Sequence, residues 1–385
     1  MSASRAIRLH LFAITAPGLE SIAAQELRRL GIVPRGSEPG GVTFEGPLDI
    51  LYRANLWSRT ASRIIARAGE FHAASFSELE KRARRLPWER FVRPGRAVRL
   101  HVTCRKSRLY HSDAVAERVA AAIESRMGGV NVGQRAAGAP DEDDDGADDQ
   151  LIVVRLHRDR CTTSVDTSGA LLHRRGYRLA TTRAPLRETL AASALLASEW
   201  TGAAPLLDPM CGSGTIPIEA ALIARRIAPG SRRSFAFMQW PDFDGPLWEK
   251  LHADALAQVM PSSPGPILGS DRDAGAIEAA HANAERAGVG SDVLFERRSI
   301  SAIEPPRDAG WVVTNPPYGT RVGDTAALRD LYARFGDVVR RRCPGWTVTM
   351  ISGNPRLERH TAIAFEELAR TRNGGIPVRL LRGKV

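Results

Sequence analysis

The sequence predicts an α/β chain whose second half is a doubly wound, mainly parallel sheet. Three observations carry the prediction. Short apolar runs (LLD, GPILGSD, VLFERR and WVVTNPP) alternate with helical segments, the order that builds parallel sheets through crossover connections. Three of those runs end in an acid or a proline pair, which puts polar chemistry at the carboxyl edge of the strands, where such sheets bind ligands. The first half opens instead with a compact β-α-β-α pattern, the mark of a small α/β module.

The elements follow in order. Residues 7–15 predict a strand and 19–30 the helix after it, with Gly31 just past its end as a stop. GVTFEG predicts a second strand, and Leu48, Leu51, Leu56 and Trp57 a second helix. Between Arg96 and Cys104, Val98, Leu100 and Val102 alternate with polar residues, the period of a half-buried strand. Val115, Val119 and Ile123 then fall at helical spacing, with Ser112 or Asp113 as the expected N-cap. The block DEDDDGADD, Asp141 to Asp149, predicts a solvated loop. LIVVRLHRDRCTTSVDTSG predicts two strands joined by a polar turn, and LRETLAASALLASEW a helix leading into the second half.

At roughly 150 residues per domain, 385 residues make two or three domains. A chain 43% hydrophobic and 25% charged is an ordinary globular one, which excludes collagen, global disorder and a disulfide scaffold. No stretch approaches the ~20 apolar residues of a membrane span, and the run after Arg5 and Arg8 leads into an amphipathic helix rather than a signal-peptide site. Cys104, Cys161, Cys211 and Cys343 form no CxxC pair, and no histidine sits in an HExxH spacing. We therefore expect no metal, no disulfide and a reducing cytoplasm. The net charge is +11 although seven acids are gathered in the single block at 141–149, so the rest of the chain is more basic still. Such a body suits a polyanion, nucleic acid first; a coding bias toward Arg and Ala is the bland alternative.

Three constellations carry chemistry. LLDPMCGSGTIPIEAALIA ends an apolar strand in Asp208, turns through Gly212, Ser213 and Gly214, and opens a helix near Thr215. Glycines there let a backbone approach a nucleotide-like ligand, where a Cβ would clash. No GK[ST] follows, and Pro217 occupies the third glycine position of GxGxxG, so neither a Walker loop nor the dinucleotide fingerprint is present. A glycine turn alone is also compatible with a structural role. GPILGSDRD next places Asp271 at a strand end, able to accept from both ribose hydroxyls, and Asp273 as a helix cap. WVVTNPPYG then runs into Asn315, Pro316, Pro317 and Tyr318, a stiff turn. The Asn315 side-chain oxygen and the Pro316 carbonyl can accept both protons of an exocyclic amine, aiming its lone pair at an electrophile, while Tyr318 can stack a flipped base.

The order DPMCGSGT, GSD, NPPYG resembles class I S-adenosylmethionine-dependent methyltransferases acting on base amino groups. GLESIAAQEL, LYRANLWSRTASRI, VTCRKSRLYHSDAVAERV, HRRGYR and APLRETLAA extend the likeness, over nearly the whole chain, to THUMP-containing RNA guanine-N2 methyltransferases. The resemblance implies a ferredoxin-like module at 1–65, a THUMP module at 66–168 and a Rossmann-like methyltransferase domain at 169–385. It implies S-adenosylmethionine as cofactor, held by Asp208, Pro209, Cys211, Gly212, Gly214, Thr215 and Asp271. Asn315, Pro316, Pro317 and Tyr318 become the catalytic tetrapeptide. Arg187 and Glu188 match a segment over the methionine end of the donor, where Arg187 would pair with its carboxylate or be an ordinary helix-surface arginine. Relatives usually carry an adenine-binding Asp where this chain has Ser299, a weaker acceptor.

Arg105, Lys106, Arg108 and His111, with Tyr110 interleaved, are the expected RNA contacts; a solvated basic face with Tyr110 in the core is the alternative. His173, Arg174 and Arg175 allow a similar double reading, RNA contact or linker surface. The resulting expectation is methylation of guanine N2, in 23S ribosomal RNA by the nearest likeness. Transfer RNA guanine, adenine N6, and an RNA-binding protein with an inactive methyltransferase domain remain as alternatives.

Overall fold

The computed structural model describes residues 8–128, 132–134, 149–178, 186–306, 309–318 and 325–385. In the first half, β1 (Leu9–Ile14), β2 (Pro34–Glu38), β3 (Gly41–Gly46), β4 (Arg63–His72), β5 (Val98–Arg105), β6 (Val132–Gln134), β7 (Gln150–His157) and β8 (Arg160–Asp166) join in one sheet, ordered β2-β3-β1-β4-β8-β7-β5-β6. Helices α1 (Glu20–Arg29), α2 (Leu48–Trp57), α3 (Phe76–Ala83) and α4 (Ser112–Met127) complete it. β4 pairs with β1 on one side and β8 on the other. The expected boundary after residue 65 thus falls inside a strand shared by both modules.

Two sequence expectations are corrected here, and one alternative is excluded. The opening is β-α-β-β-α, because PRGSE forms β2, an edge strand whose polar residues lack the alternation that would have marked it. Helix α4 starts at Ser112, so the extended His111, not Ser112 or Asp113, is the N-cap; its carbonyl accepts from the Val115 amide at 3.1 Å. Tyr110 is not in the core: it is 69% exposed. The acidic loop expected at 141–149 lies outside the described residues except Asp149, which pairs with Arg99 at 3.1 Å.

In the second half, β9 (Leu206–Asp208), β10 (Ile267–Asp271), β11 (Val293–Arg297), β12 (Trp311–Thr314), β13 (Thr347–Ser352), β14 (Glu366–Asn373) and β15 (Ile376–Lys384) form a sheet ordered β11-β10-β9-β12-β13-β15-β14. The strands from β9 to β13 run parallel; β15 is antiparallel to both its neighbours. Helices α5 (Glu188–Ala197), α6 (Thr215–Ala224), α7 (Gly245–Ala257), α8 (Ala274–Ala287) and α9 (Thr325–Arg342) connect them. Strand order reverses at β9, which opens the binding crevice at the carboxyl ends of β9, β10 and β12. No helix among the described residues is long and apolar enough to cross a membrane.

Two features weld the halves together. Phe235, Phe237 and Trp240, which follow α6 in sequence, belong to the same buried cluster as Leu11, Tyr52 and Trp88 of the first half. Phe237 stacks on Tyr52 with ring centroids 4.6 Å apart, and Trp240 donates to Gln150 at 3.0 Å. The second feature is the HRRGYR segment. Arg175, its side chain 3% exposed, pairs with the fully buried Glu219 of α6 at 3.2 Å and donates to the Arg59 carbonyl at 2.9 Å. Tyr177 adds a hydrogen bond to Glu219 at 3.1 Å. Arg175 is therefore an internal strut, which removes it from the RNA-contacting and linker-surface readings. His173 is half-buried among arginines, and burial first, then their charge, pulls its pKa down to about 4.

Candidate active site

Strand β9 delivers Asp208, 1% exposed, to the reversal point of the sheet. Its Oδ1 accepts from the Thr314 hydroxyl at 2.7 Å and the Met210 amide at 3.2 Å, so one carboxylate ties the ends of β9 and β12 together. Burial pushes the Asp208 carboxyl up to about 7, with the nearby Asp271 charge acting the same way. Pro209 and Cys211 are buried beneath the turn, and burial holds the Cys211 thiol well above its usual range, far from a thiolate.

The turn itself is heavily braced. The Cys211 amide donates to the Ser270 carbonyl at 3.0 Å, Gly214 to Cys211 at 2.9 Å, and the Asn283 side chain of α8 to Ser213 at 3.0 Å. Gly212 and Gly214 both adopt left-handed backbone, at φ +53° and +84°. Their surroundings differ. A Cβ on Gly214 would lie 2.9 Å from Phe295 Cζ and 3.0 Å from Ala280 Cβ, whereas nothing lies within 4 Å of one on Gly212. Gly214 is thus required by packing, and Gly212 borders open space. Asp271 lies beside Gly212 and accepts from the Gly212 amide and the Asp273 amide, each at 3.0 Å, leaving a further lone pair on each oxygen. Asp273 caps α8 through the Ala276 amide at 3.1 Å. An open glycine floor beside an acid with spare acceptor capacity fits a nucleoside-bearing methyl donor.

The flank of this turn is fixed by Arg178, which sequence reasoning did not single out within HRRGYR. It donates to the Thr215 hydroxyl at 2.8 Å and to the Leu186 carbonyl, and pairs with the buried Glu188 at 3.3 Å. The structure thereby brings the start of α5, with half-buried Arg187 at its N-cap, beside the start of α6. Ser299 is exposed at the start of a short turn after β11.

Asn315 follows Thr314 directly, so the Asp208–Thr314 bond sets the tetrapeptide at the edge of the same crevice. Its Oδ1 is buried without a hydrogen-bond partner among the described residues. Leaving such an acceptor unsatisfied costs about 1–3 kcal/mol, which is sustained where an incoming group completes it. Pro316 is buried and Pro317 exposed. Tyr318 is half-buried; its hydroxyl accepts from the Asn373 amide of β14 at 2.9 Å, and its ring lies against Gly353, where a Cβ would be 2.7 Å from Tyr318 Cδ2. Gly319 lies outside the described residues. Asn373 and Gly353 carried no sequence signal, since neither lies near the tetrapeptide in the chain.

About the β5–α4 junction, Arg105, Lys106, Arg108, Tyr110 and His111 are all exposed, and the Tyr110 and His111 rings sit 4.1 Å apart. The loop is held from the β7–β8 hairpin, where Asp159 accepts from the Arg108 amide at 2.7 Å. Strand pairing adds Arg158 and Arg160 of that hairpin to the basic tip, two cations the local sequence window missed. Among the described residues, no group of three or more His, Cys, Asp or Glu is arranged to hold a metal.

Comparison with known proteins agrees with this architecture. Residues 175–380 match the model of the RMKL-like methyltransferase domain, residues 10–65 the RlmL ferredoxin-like domain, and residues 73–166 the THUMP domain. A Synechocystis protein provisionally named an RNA methyltransferase is 38% identical over 96% of this chain and 95% of its own length. The ribosomal RNA large subunit methyltransferase K/L of Syntrophotalea carbinolica is 37% identical over 97% of this chain, which spans only 53% of that longer protein. Among solved structures, a Listeria monocytogenes protein described as a predicted N6-adenine-specific DNA methylase superposes with TM-score 0.85 at 34% identity, covering 97% of this chain and 96% of that one. SMU.472, provisionally named a methyltransferase and solved with SAH bound, superposes with TM-score 0.85 at 30% identity, covering 98% of each chain. The chain belongs to the RMKL-like family of THUMP-containing, S-adenosylmethionine-dependent methyltransferases.

Proposed function

We propose that this chain methylates the exocyclic N2 of a guanine in the 23S RNA of the large ribosomal subunit. The observation that carries the reading is the buried Asn315 Oδ1 at the rim of the donor crevice, which has no hydrogen-bond partner among the described residues. It and the Pro316 carbonyl accept the two N–H protons of the guanine amine and turn its lone pair toward the donor. Tyr318 supplies a ring face for the flipped base, worth ~1–3 kcal/mol in stacking. When bound, S-adenosylmethionine supplies a methyl group already activated by its sulfonium, so the chain's task is positioning. Asp271 holds the ribose and the turn at Gly212 lets the donor lie close. Pro209, Cys211 and Thr215 shape that turn, and Arg187 takes the donor carboxylate. Ser299 stands in for an adenine-binding acid.

Arg105, Lys106, Arg108 and His111 hold RNA phosphates, with Tyr110 stacking on an unpaired base. The THUMP match supports RNA, and the names of the K/L relatives support the large-subunit target, although this chain spans about half their length. The four free cysteines fit a cytoplasmic setting. Adenine N6 is a second reading, favoured by the name given to the Listeria structure. The test is methyl transfer from labelled S-adenosylmethionine to unmodified ribosomal and transfer RNA, with the product nucleosides identified by mass spectrometry. N2-methylguanosine from large-subunit RNA is expected. The same nucleoside from transfer RNA would move the target, and N6-methyladenosine would replace the base. Asn315→Ala should lose turnover with donor affinity kept; wild-type turnover in that variant would refute the mechanism.

A further inference from the structure

Tyr318 ends a loop, and an aromatic ring on a loop is a poor platform unless something other than the loop fixes it. Here two strands do so. The hydroxyl accepts from Asn373 Nδ2 at 2.9 Å, and Asn373 is itself 7% exposed at the end of β14. From below, the ring rests on the backbone of Gly353, just past the end of β13; an added Cβ would meet Tyr318 Cδ2 at 2.7 Å and Cγ at 2.9 Å. One anchor fixes the tip of the ring and the other its plane. The hairpin that carries Asn373 turns at Gly374 and Gly375, both in left-handed backbone (φ +53° and +86°), so the side chain is set by a tight turn rather than by a free loop. Burial of the phenol, only partly offset by the Asn373 bond, raises its pKa, so it remains protonated and serves as a hydrogen-bonding handle, not a base.

We infer that Asn373 and Gly353 are positioning residues that lock the Tyr318 ring as a preformed stacking surface for the target base, an inference that rests on reading Asn315 to Tyr318 as the acceptor site. A ring already held in place loses no rotamer freedom when the base arrives, so the gain appears in the productive encounter with RNA and not in donor binding. Among the described residues, neither is hydrogen-bonded to the donor turn. The hydrogen bond is the means of coupling: without the phenol oxygen, Asn373 has nothing to act on.

That dependence defines the experiment, a double-mutant cycle on the full chain with Tyr318→Phe, Asn373→Ala and the pair combined. The readouts are kcat, KM for RNA, the donor Kd and the melting temperature. Each single variant should lose roughly tenfold in kcat/KM for RNA while its donor Kd stays within about twofold, and the double variant should be no worse than either single one. A packing defect would instead lower the melting temperature and donor affinity together and keep its full effect in the Tyr318→Phe background. That result, or an Asn373→Ala variant with unchanged kcat/KM, overturns the inference. Should Asn373→Ala fold poorly, Asn373→Ser and Gly353→Ala test the two anchors separately; Gly353→Ala must displace the ring and should reproduce the same kinetic loss. Tyr318→Ala separates the two levels of interpretation. Wild-type turnover in Tyr318→Ala would refute the acceptor site itself. Lost turnover there, with Asn373 variants unaffected, would refute only the locking role.

Discussion

Gly212 and Gly214 stand two residues apart in one turn, share left-handed backbone, and should respond to alanine in opposite ways. For both, an L side chain in this conformation costs about 1–2 kcal/mol. At Gly212 that is the whole stability effect, because nothing lies within 4 Å of the new Cβ. At Gly214 the Cβ would also press on Phe295 Cζ at 2.9 Å and Ala280 Cβ at 3.0 Å. Neither contact is the loose end of a flexible side chain, so overpacking adds about 1–3 kcal/mol. The expected losses are therefore about 1–2 kcal/mol for Gly212→Ala and about 2–5 kcal/mol for Gly214→Ala. Donor binding reverses the ranking for a given loss of stability, since the function proposed above places the donor in the open space at Gly212. Urea unfolding midpoints compared within one protein series give the first quantity, and calorimetric titration with S-adenosylmethionine the second. Gly212→Ala should keep most of its stability and lose at least about tenfold in donor affinity, about 1.4 kcal/mol. Wild-type affinity in Gly212→Ala would show that this turn is not the donor wall. Wild-type stability in Gly214→Ala would show that its neighbours can yield, contrary to the packing described.

Three further outcomes follow from the same geometry. Glu219→Ala strands buried Arg175 without its partner and should cost about 3–5 kcal/mol in thermal or urea unfolding, with loss of that effect if the strut is not real. Asp208, its pKa raised by burial to about 7, keeps a proton in the folded chain that the unfolded chain releases near its ordinary carboxylate value. Stability should accordingly fall as pH rises from about 4 to about 7, and Asp208→Asn should flatten that slope in urea titrations at several pH values. Tyr110→Ala should weaken RNA binding by ~1–3 kcal/mol at fixed salt and leave the donor Kd alone, while Arg108→Ala should lower the salt slope of RNA binding by about one; unchanged RNA affinity in both would remove this tip from the RNA interface.

Where the sequence is periodic, it foretells the structure closely. Helix α1, strands β1, β3, β9, β10, β11 and β12, and the hairpin of β7 and β8 fall where apolar spacing and turn residues put them. The misses share a cause. β2 is a polar edge strand, recognisable only once β3 is beside it. Tyr110 could be buried or exposed by local residues alone, while its loop is held from outside that window by Asp159, fifty-one residues beyond Arg108, whose amide it accepts from. In the site, Asp208, Gly212, Gly214, Asp271 and Asn315 were legible because each is chemically unusual at a strand end. Asn373, Gly353 and Arg178 were not, because a side chain that acts through another residue leaves no mark in its own neighbourhood. Phe235, Phe237 and Trp240 read as ordinary apolar residues of the second half; only tertiary structure shows whose core they fill.

Those three aromatic residues carry a consequence for how substrate is chosen. Because they lock into the first half's interior, with Glu219 and Arg175 bolting the adjoining seam, any swing of the basic tip relative to the crevice would have to break that packing. The two ends behave as the jaws of a fixed calliper. Under the function proposed above, an RNA would then be selected by whether the distance between its anchored element and its target base matches the span between those two ends. The same rigidity makes the halves inseparable in practice, since cutting between them would leave one without the centre of its core and the other with Phe235, Phe237 and Trp240 bared to water.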